Sequence, residues 1–271
     1  MPNVSVVHWN PRQPVGLPFT SRRVRLGRRV NNFGDLLGPL IVSALRPRLD
    51  GRPQFSRVRR RLLAVGSILH LARDGDCVWG TGVNGKIQEF EYTFRELDVR
   101  AVRGPLTRDF LLSRGLNVEE TYGDPALLTP IIFPWLEEAS KQKKHKITIV
   151  PNLNDLPMIE HDERVLDPRS PLEVCLNRIA QSERVVGSSL HGIIIAEALG
   201  IPARLIKSSV EDSFKYADYY LGTGRTAFRP ASSVKEAVDL GGEPPVVWDP
   251  EPLLRAFPTD LWIKGARNES R

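Results

Sequence analysis

The sequence predicts an α/β protein made of two Rossmann-like domains that face a cleft. Three observations carry this reading. Short apolar runs alternate with helical stretches along most of the chain, the pattern of parallel strands with helices on both faces. The alternation comes in two series, separated by a highly charged stretch at Glu137–Lys146. Apolar strands end in small-residue turns at Gly66-Ser67, Gly80-Thr81-Gly82 and Gly187-Ser188, the place where open α/β sheets bind ligands. The 271 residues are enough for two small domains. The boundary is expected at 135/136, with an N-terminal domain over 1–135 and a C-terminal one over 136–271.

Ser5–Trp9 reads as the first strand. A helix over Asp35–Leu45 opens after Asn31-Asn32-Phe33-Gly34, where Gly34 permits a tight turn and Asp35 can cap the helix. Leu62–Ile68 and Asp76–Trp79 read as buried strands. Val99–Val102 is a third, followed by Arg103-Gly104-Pro105. Proline just inside a helix start is a standard opening, so a helix runs to about Leu112. Thr121–Gly123 closes the series, with a turn at Asp124-Pro125. Glu137–Lys146 is a linker or a surface helix. The second series has strands at Lys146–Val150, Arg184–Val186 and Arg204–Ile206. Its helices are Pro171–Gln181, the wholly apolar His191–Leu199, and Ser233–Leu240. Ser213–Tyr220 reads as an aromatic-rich amphipathic helix. Beyond Pro250 come a short helix and Trp262.

Composition excludes several classes. No apolar run approaches the roughly 18–20 residues that span a bilayer. The first residues lack the charged and apolar regions of a signal peptide. Cys77 and Cys175 lie far apart, which fits a reducing compartment better than a disulfide scaffold. A cytoplasmic protein is expected. No CxxC or HExxH spacing is present, so no metal is expected. Residues 1–135 carry 20 Lys and Arg against 12 Asp and Glu, and residues 136–271 carry 18 against 20. The excess gathers at Arg22, Arg23, Arg25, Arg28 and Arg29, and again at Arg57, Arg59, Arg60 and Arg61. A solvated face is the simplest account, and an anionic surface or substrate is the functional one. Nucleic acid is not expected, since no aromatic-rich binding strand or DNA-reading motif accompanies the arginines.

The most informative segment is Gly187-Ser188-Ser189-Leu190-His191-Gly192. It sets two serines and a histidine at a helix start, where unpaired N–H groups and the helix dipole favour an anion. Ser188, Ser189 and Gly192 are therefore candidate anion ligands, and His191 is the candidate proton carrier. The bland alternative for His191 is a core histidine satisfied by backbone. Gly66 and Ser67 bring bare backbone to the same cleft edge. Arg103, at a strand end, can grip a carboxylate or phosphate at two points, or simply pair with a neighbour such as Asp109. Lys207 and Lys215 are rival point charges, or solvated surface lysines. Asp35 is a candidate base, or a plain helix cap.

Taken in order, these segments resemble the polysaccharide pyruvyl transferase family. The resemblance rests on N-x-G-D at Asn32–Asp35, Gly66-Ser67, V-R-G-P-x-T at Val102–Thr107 and G-D-P at Gly123–Pro125. It continues through S-L-H-G at Ser189–Gly192, the E-A-x-G-I-P run ending at Pro202, and K-x-x-D-Y-Y at Lys215–Tyr220. The resemblance implies a glycosyltransferase-B-like fold and transfer of pyruvate from phosphoenolpyruvate to two sugar hydroxyls as a ketal. Phosphoenolpyruvate would be a co-substrate, with no cofactor and no metal. Arg103 would match the family's donor-binding arginine, His191 its essential histidine and Lys215 its downstream lysine. Ser189 departs from the pattern, because many relatives carry arginine there. The acceptor would be the sugar of a glycan, lipid-linked if the arginine clusters meet an anionic membrane peripherally. The alternatives are a nucleotide-sugar glycosyltransferase on the same architecture and a non-catalytic glycan- or anion-binding relative.

Overall fold

A computed structural model describes residues 4–13, 15–16, 23–24, 26–46, 60–159 and 161–262. Arg22, Arg25, Arg57 and Arg59, four of the nine arginines in the two basic clusters, lie outside them. Strand β1 (Val4–Val7) is followed by a small antiparallel pair, β2 (Val15–Gly16) and β3 (Arg23–Val24). Strands β4 (Arg60–Leu63), β5 (Asp76–Trp79) and β6 (Leu97–Ala101) join β1 in a four-stranded sheet of order β1-β4-β5-β6, parallel throughout. A parallel bridge from Val102 to Tyr122 adds one more segment beside β6. The second sheet is β7 (Thr148–Ile149), β8 (Val185–Gly187) and β9 (Ala203–Leu205), also parallel and in that order. Val165 bridges one edge of it and Ala231 the other.

Ten helices connect these strands among the described residues. They are α1 (Phe33–Leu45), α2 (Pro105–Ser113), α3 (Thr129–Ile132), α4 (Trp135–Ser140), α5 (Leu156–Ile159), α6 (Leu172–Ala180), α7 (Leu190–Ala198), α8 (Phe214–Gly222), α9 (Val234–Leu240) and α10 (Glu251–Arg255). None is long and apolar enough to cross a membrane. The mixed α/β class with parallel sheets is as expected. The boundary expected at 135/136 falls in the first turn of α4, whose Leu136 is wholly buried.

The strands are apolar where both faces are covered, as at Leu62-Leu63, Cys77–Trp79 and Val185-Val186, while the edge strand β6 keeps Asp98 and Arg100 half-buried. Their alternation assigns each side chain to a cluster. Leu62, Cys77 and Trp79 face one core, while Leu63 and Val78 face another under α2. In the second sheet Val185 faces the first of these cores, and Val186 packs with Ile149, Ala231 and Ala237. The largest core is shared: Phe33, Leu37 and Ile41 of α1 lie in one cluster with Leu176 of α6 and Ile193 and Ile194 of α7. The two sheets are thus joined by a common apolar layer. Helix α7 is the middle of it, which explains why its sequence is apolar all round.

The chain returns to the first sheet at its end. The Trp79 indole N–H donates to the Leu253 carbonyl at 2.8 Å, and the Trp248 indole N–H to the Tyr122 carbonyl at 3.2 Å. Phe257 meets Trp79 edge-on at 5.0 Å and stacks on Trp262 at 5.5 Å. Aromatic pairs of this kind add to the gain from burying their area. Phe257→Ala should therefore destabilise the protein by about 3 kcal/mol, read from urea unfolding. A loss near zero would mean that the C-terminal segment does not hold the first sheet in solution.

Candidate active site

The site forms where the C-terminal ends of both sheets meet the first turn of α1. Strand β8 ends at Gly187, whose φ of +148° and contact with the Val150 carbonyl leave no room for a side chain. The chain then turns into α7. Ser189 is its N-cap, its hydroxyl accepting from the Gly192 N–H at 3.3 Å. Ser188 accepts from both the backbone N–H and the side-chain amide of Asn152, each at 3.1 Å. Both serines are thus held by the protein. Ser189 still lines the cleft, whereas Ser188 and Gly192 lie behind it.

His191 follows in the first turn of α7. Its ring packs on the backbone of Gly34, and a Cβ at 34 would collide with the imidazole Nδ1. This contact is why the N-x-G-D turn needs its glycine. The ring is 8% exposed, and its Nε2 has no hydrogen-bond partner among the described residues. Burial, helped by the charges of Lys215 and Arg103, lowers its pKa to about 3. His191 is therefore a neutral imidazole at physiological pH.

Asp35 stands beside it in α1. Asn32, not Asp35, is the N-cap, and its side-chain amide donates to the Asp35 carboxylate at 2.5 Å. The other carboxylate oxygen lies over Gly66. Burial raises the Asp35 pKa to about 7, against the opposing pull of Asn32 and Lys215. The two groups are shifted in opposite directions by the same dry surroundings.

Arg103 is placed differently from the expectation. It is wholly buried and is not part of the cleft lining. Its guanidinium donates to Asp218 at 3.0 Å, to the Ser67 hydroxyl at 2.6 Å and to the Val83 carbonyl at 2.8 Å. The partner is Asp218, 115 residues away, not the adjacent Asp109. Gly82 is bare because the guanidinium lies against it. The fork that was read as a ligand clamp is filled by protein, and Ser67 is what it presents to the cleft. Gly66, with φ +104°, is stitched to the second glycine turn through its carbonyl, which accepts from Thr81 at 2.6 Å and from Gly82 at 3.1 Å.

Lys215 opens onto the cleft from α8, while Lys207 is exposed after β9 and does not line it. The Lys215 ammonium donates to Glu211 at 2.7 Å, and the other oxygen of Glu211 takes Lys86 at 2.5 Å. The cleft has a volume of about 350 Å³ and is walled by both halves of the chain, Asp35, Ser67 and Lys86 from one and Ser189, His191 and Lys215 from the other. Trp9, His70, Lys86, Asn152 and Glu211 also line it and were missed from sequence. Glu211 had one readable signal, its i,i+4 spacing to Lys215. Trp9 follows β1, His70 lies in a single 3₁₀ turn at Leu69–Leu71, and Lys86 and Asn152 sit in loops, none with a pattern that marks it for the cleft.

With this geometry in place, the chain can be set beside known proteins. A family profile described as polysaccharide pyruvyl transferase matches residues 32–209. The succinoglycan biosynthesis protein ExoV of Rhizobium meliloti is 31% identical over 214 residues, which cover 73% of this chain and 63% of ExoV. The chain thus spans less than two thirds of that relative. An uncharacterized protein of Acanthamoeba polyphaga mimivirus is 26% identical over 224 residues, covering 77% of this chain and 74% of its own. A solved structure of a functionally uncharacterized Klebsiella pneumoniae protein covers 70% of this chain and 83% of its own at 15% identity, with a TM-score of 0.44. That likeness is too loose to bear on the arrangement of the two sheets.

Asp35 gives a direct test of the site's electrostatics. Its carboxyl titrates near 7 when folded and near the ordinary value of about 3.9 when unfolded. Between the two, the folded chain binds more proton, so stability from this group is complete at low pH and is lost as pH rises through 7. Asp35→Asn removes that dependence. Relative to wild type, the variant should gain stability between about pH 4 and about pH 8, by up to about 4 kcal/mol. Urea unfolding at the two pH values measures this, and a difference that stays constant would assign Asp35 an ordinary pKa.

Proposed function

Because the chain belongs to the polysaccharide pyruvyl transferase family, we propose that it transfers pyruvate from phosphoenolpyruvate to two hydroxyls of one sugar as a ketal. The acceptor is a sugar in a polysaccharide or glycolipid precursor. The observation that carries the reading is convergence. Two groups of segments more than a hundred residues apart in sequence, Asn32–Asp35 with Ser67 and Ser189–His191 with Lys215, wall a single cleft. On this reading the two parallel sheets are Rossmann-like halves in a glycosyltransferase-B-like arrangement. The first half takes the acceptor, and the second carries the S-L-H-G segment of the donor site.

The reaction needs a proton on the methylene carbon of the enol, which turns the neighbouring carbon into an electrophile. One sugar hydroxyl attacks that carbon, the bond to the phosphate oxygen breaks, and the second hydroxyl closes the ketal. Two hydroxyl protons are released. One replaces the proton given to carbon, and the other leaves with inorganic phosphate. Asp35, with a pKa of about 7, is half protonated at neutral pH and is the group suited to give the first proton. His191 is the group suited to take one from a hydroxyl. Burial first, and the charges of Lys215 and Arg103 second, hold its pKa to about 3, and an anionic donor beside Lys215 opposes the part that the cations contribute. Lys215 and the start of α7 offset donor charge. Arg103 acts through Ser67, as a positioning residue. A lipid-linked acceptor would bring the protein to an anionic membrane, where the basic clusters in the first half find a role.

Incubation with phosphoenolpyruvate and a panel of lipid-linked and aryl glycosides tests the reading. Phosphate release together with a product mass matching a pyruvate ketal is expected. Turnover of a nucleotide sugar with none of phosphoenolpyruvate would select a glycosyltransferase, and binding without turnover a non-catalytic relative. In the same assay Asp35→Asn and His191→Ala should each lower kcat by about 10²–10⁴-fold. Lys215→Gln should raise the KM for phosphoenolpyruvate strongly and Lys207→Gln hardly at all. The reverse order for the two lysines would move the donor to the other side of β9.

A further inference from the structure

The charge lining the cleft is unevenly spread. Among the described residues the lining holds two carboxyl groups, Asp35 and Glu211, and two ammonium groups, Lys86 and Lys215. Arg103 is spent on Asp218 and His191 is neutral. With Asp35 protonated, the surplus positive charge of the lining sits on the two lysines that share Glu211. Their ammonium groups approach opposite oxygens of one carboxylate, at 2.5 and 2.7 Å, and Asn154 donates to the same carboxylate at 2.7 Å. Glu211 is 5% exposed, Lys215 12% and Lys86 36% at the side chain. Each ammonium has three donors, and Glu211 takes one from each.

Lys86 is held over the cleft by its own backbone. Gly85, with φ +83°, lies directly on the segment that precedes α8. A Cβ there would come within 2.7 Å of the Asp212 carboxylate and 2.9 Å of Phe214. The strap at 84–87 from the first half is therefore pressed onto residues 211–214 of the second, and Lys86 cannot wander as an ordinary surface lysine does.

We propose that Lys86 and Lys215 together form a two-ammonium clamp for one anionic group, a carboxylate or a phosphate, of the substrate, with Glu211 holding the pair at the right separation. This rests on the reading that the cleft takes a small phosphorylated acid. Lys86 is a ligand-binding residue supplied by the first half of the chain. The donor site therefore spans both halves.

Calorimetric titration of the 271-residue chain with phosphoenolpyruvate and, separately, with inorganic phosphate tests the clamp. Lys86→Met should weaken both by about tenfold or more, the loss of one charge-assisted contact, with an unchanged melting temperature. Lys86→Arg should retain most of the affinity. Glu211→Gln supplies the control for a merely structural lysine. If Lys86 touches the anion, Lys86→Met weakens binding in the Glu211→Gln background as well. If the effect vanishes there, Lys86 acts only as a partner of Glu211 and the proposal is overturned. Unchanged affinity in Lys86→Met, or a wild-type protein that binds neither anion, overturns it too. A wild-type protein that binds both anions through Lys86 yet transfers nothing to any glycan leaves the clamp standing and removes the pyruvyl-transfer reading.

Discussion

Arg103 and Asp218 are both wholly buried and lie on opposite halves of the chain. A buried pair of this kind holds only if its remaining polar atoms find partners. Here each guanidinium nitrogen and both carboxylate oxygens have one. Asp218 also takes the backbone N–H and the hydroxyl of Thr107, at 2.9 and 2.7 Å, while Arg103 reaches Ser67 and Val83. The approach is close enough that Gly104 and Gly222 have no room for side chains, each lying against backbone of the facing segment. Removing either charge would strand the other in the core, at a cost of about 3–5 kcal/mol. This interaction sets the distance between α2 and α8, and hence the width of the cleft and the place of Lys215. It also explains V-R-G-P-x-T and K-x-x-D-Y-Y as one device: the arginine, glycine and threonine of the first segment meet the aspartate of the second.

The cleft itself runs on the opposite logic. Asp35 and His191 are left without a charged partner of their own, so desolvation governs both and drives each toward its neutral form. Groups whose pKa values are shifted in opposite directions in this way are a common mark of acid–base chemistry. The glycine at 34 matters to this balance, because it lets the imidazole sit on the backbone of α1 and so brings the two groups under one roof.

Much of the fold was legible because its signals are local. Asp76–Trp79 is a strand with the expected bounds, and Pro105 opens α2 as proline at a helix start should. The strand read over Leu62–Ile68 ends at Leu63 instead, because Ala64 and Val65, though buried, leave the ladder to enter the Gly66 turn. Alternation shows that a residue is buried but not which core receives it, so the layer shared by α1, α6 and α7 could not be read in advance. The site follows the same division. Asp35, Ser67, Ser189, His191 and Lys215 were marked by turns and helix starts. Arg103 was marked too, but its true partner was hidden by 115 residues of intervening chain. Lys86 has no pattern at all, and only the strap's contact with the other half reveals it.

The docking of Trp248, Leu253 and Phe257 on the first sheet bears on how the chain is made. Trp79 waits for a hydrogen-bond partner 174 residues downstream, and the shared core waits for α6 and α7. A ribosome releasing the first half therefore releases a sheet with an uncovered aromatic face. Domain-by-domain folding during synthesis would leave that face without the residues that cover it. Contacts so distant in sequence also slow folding. The core beneath the first sheet is complete only once residues 248–262 have been made and docked.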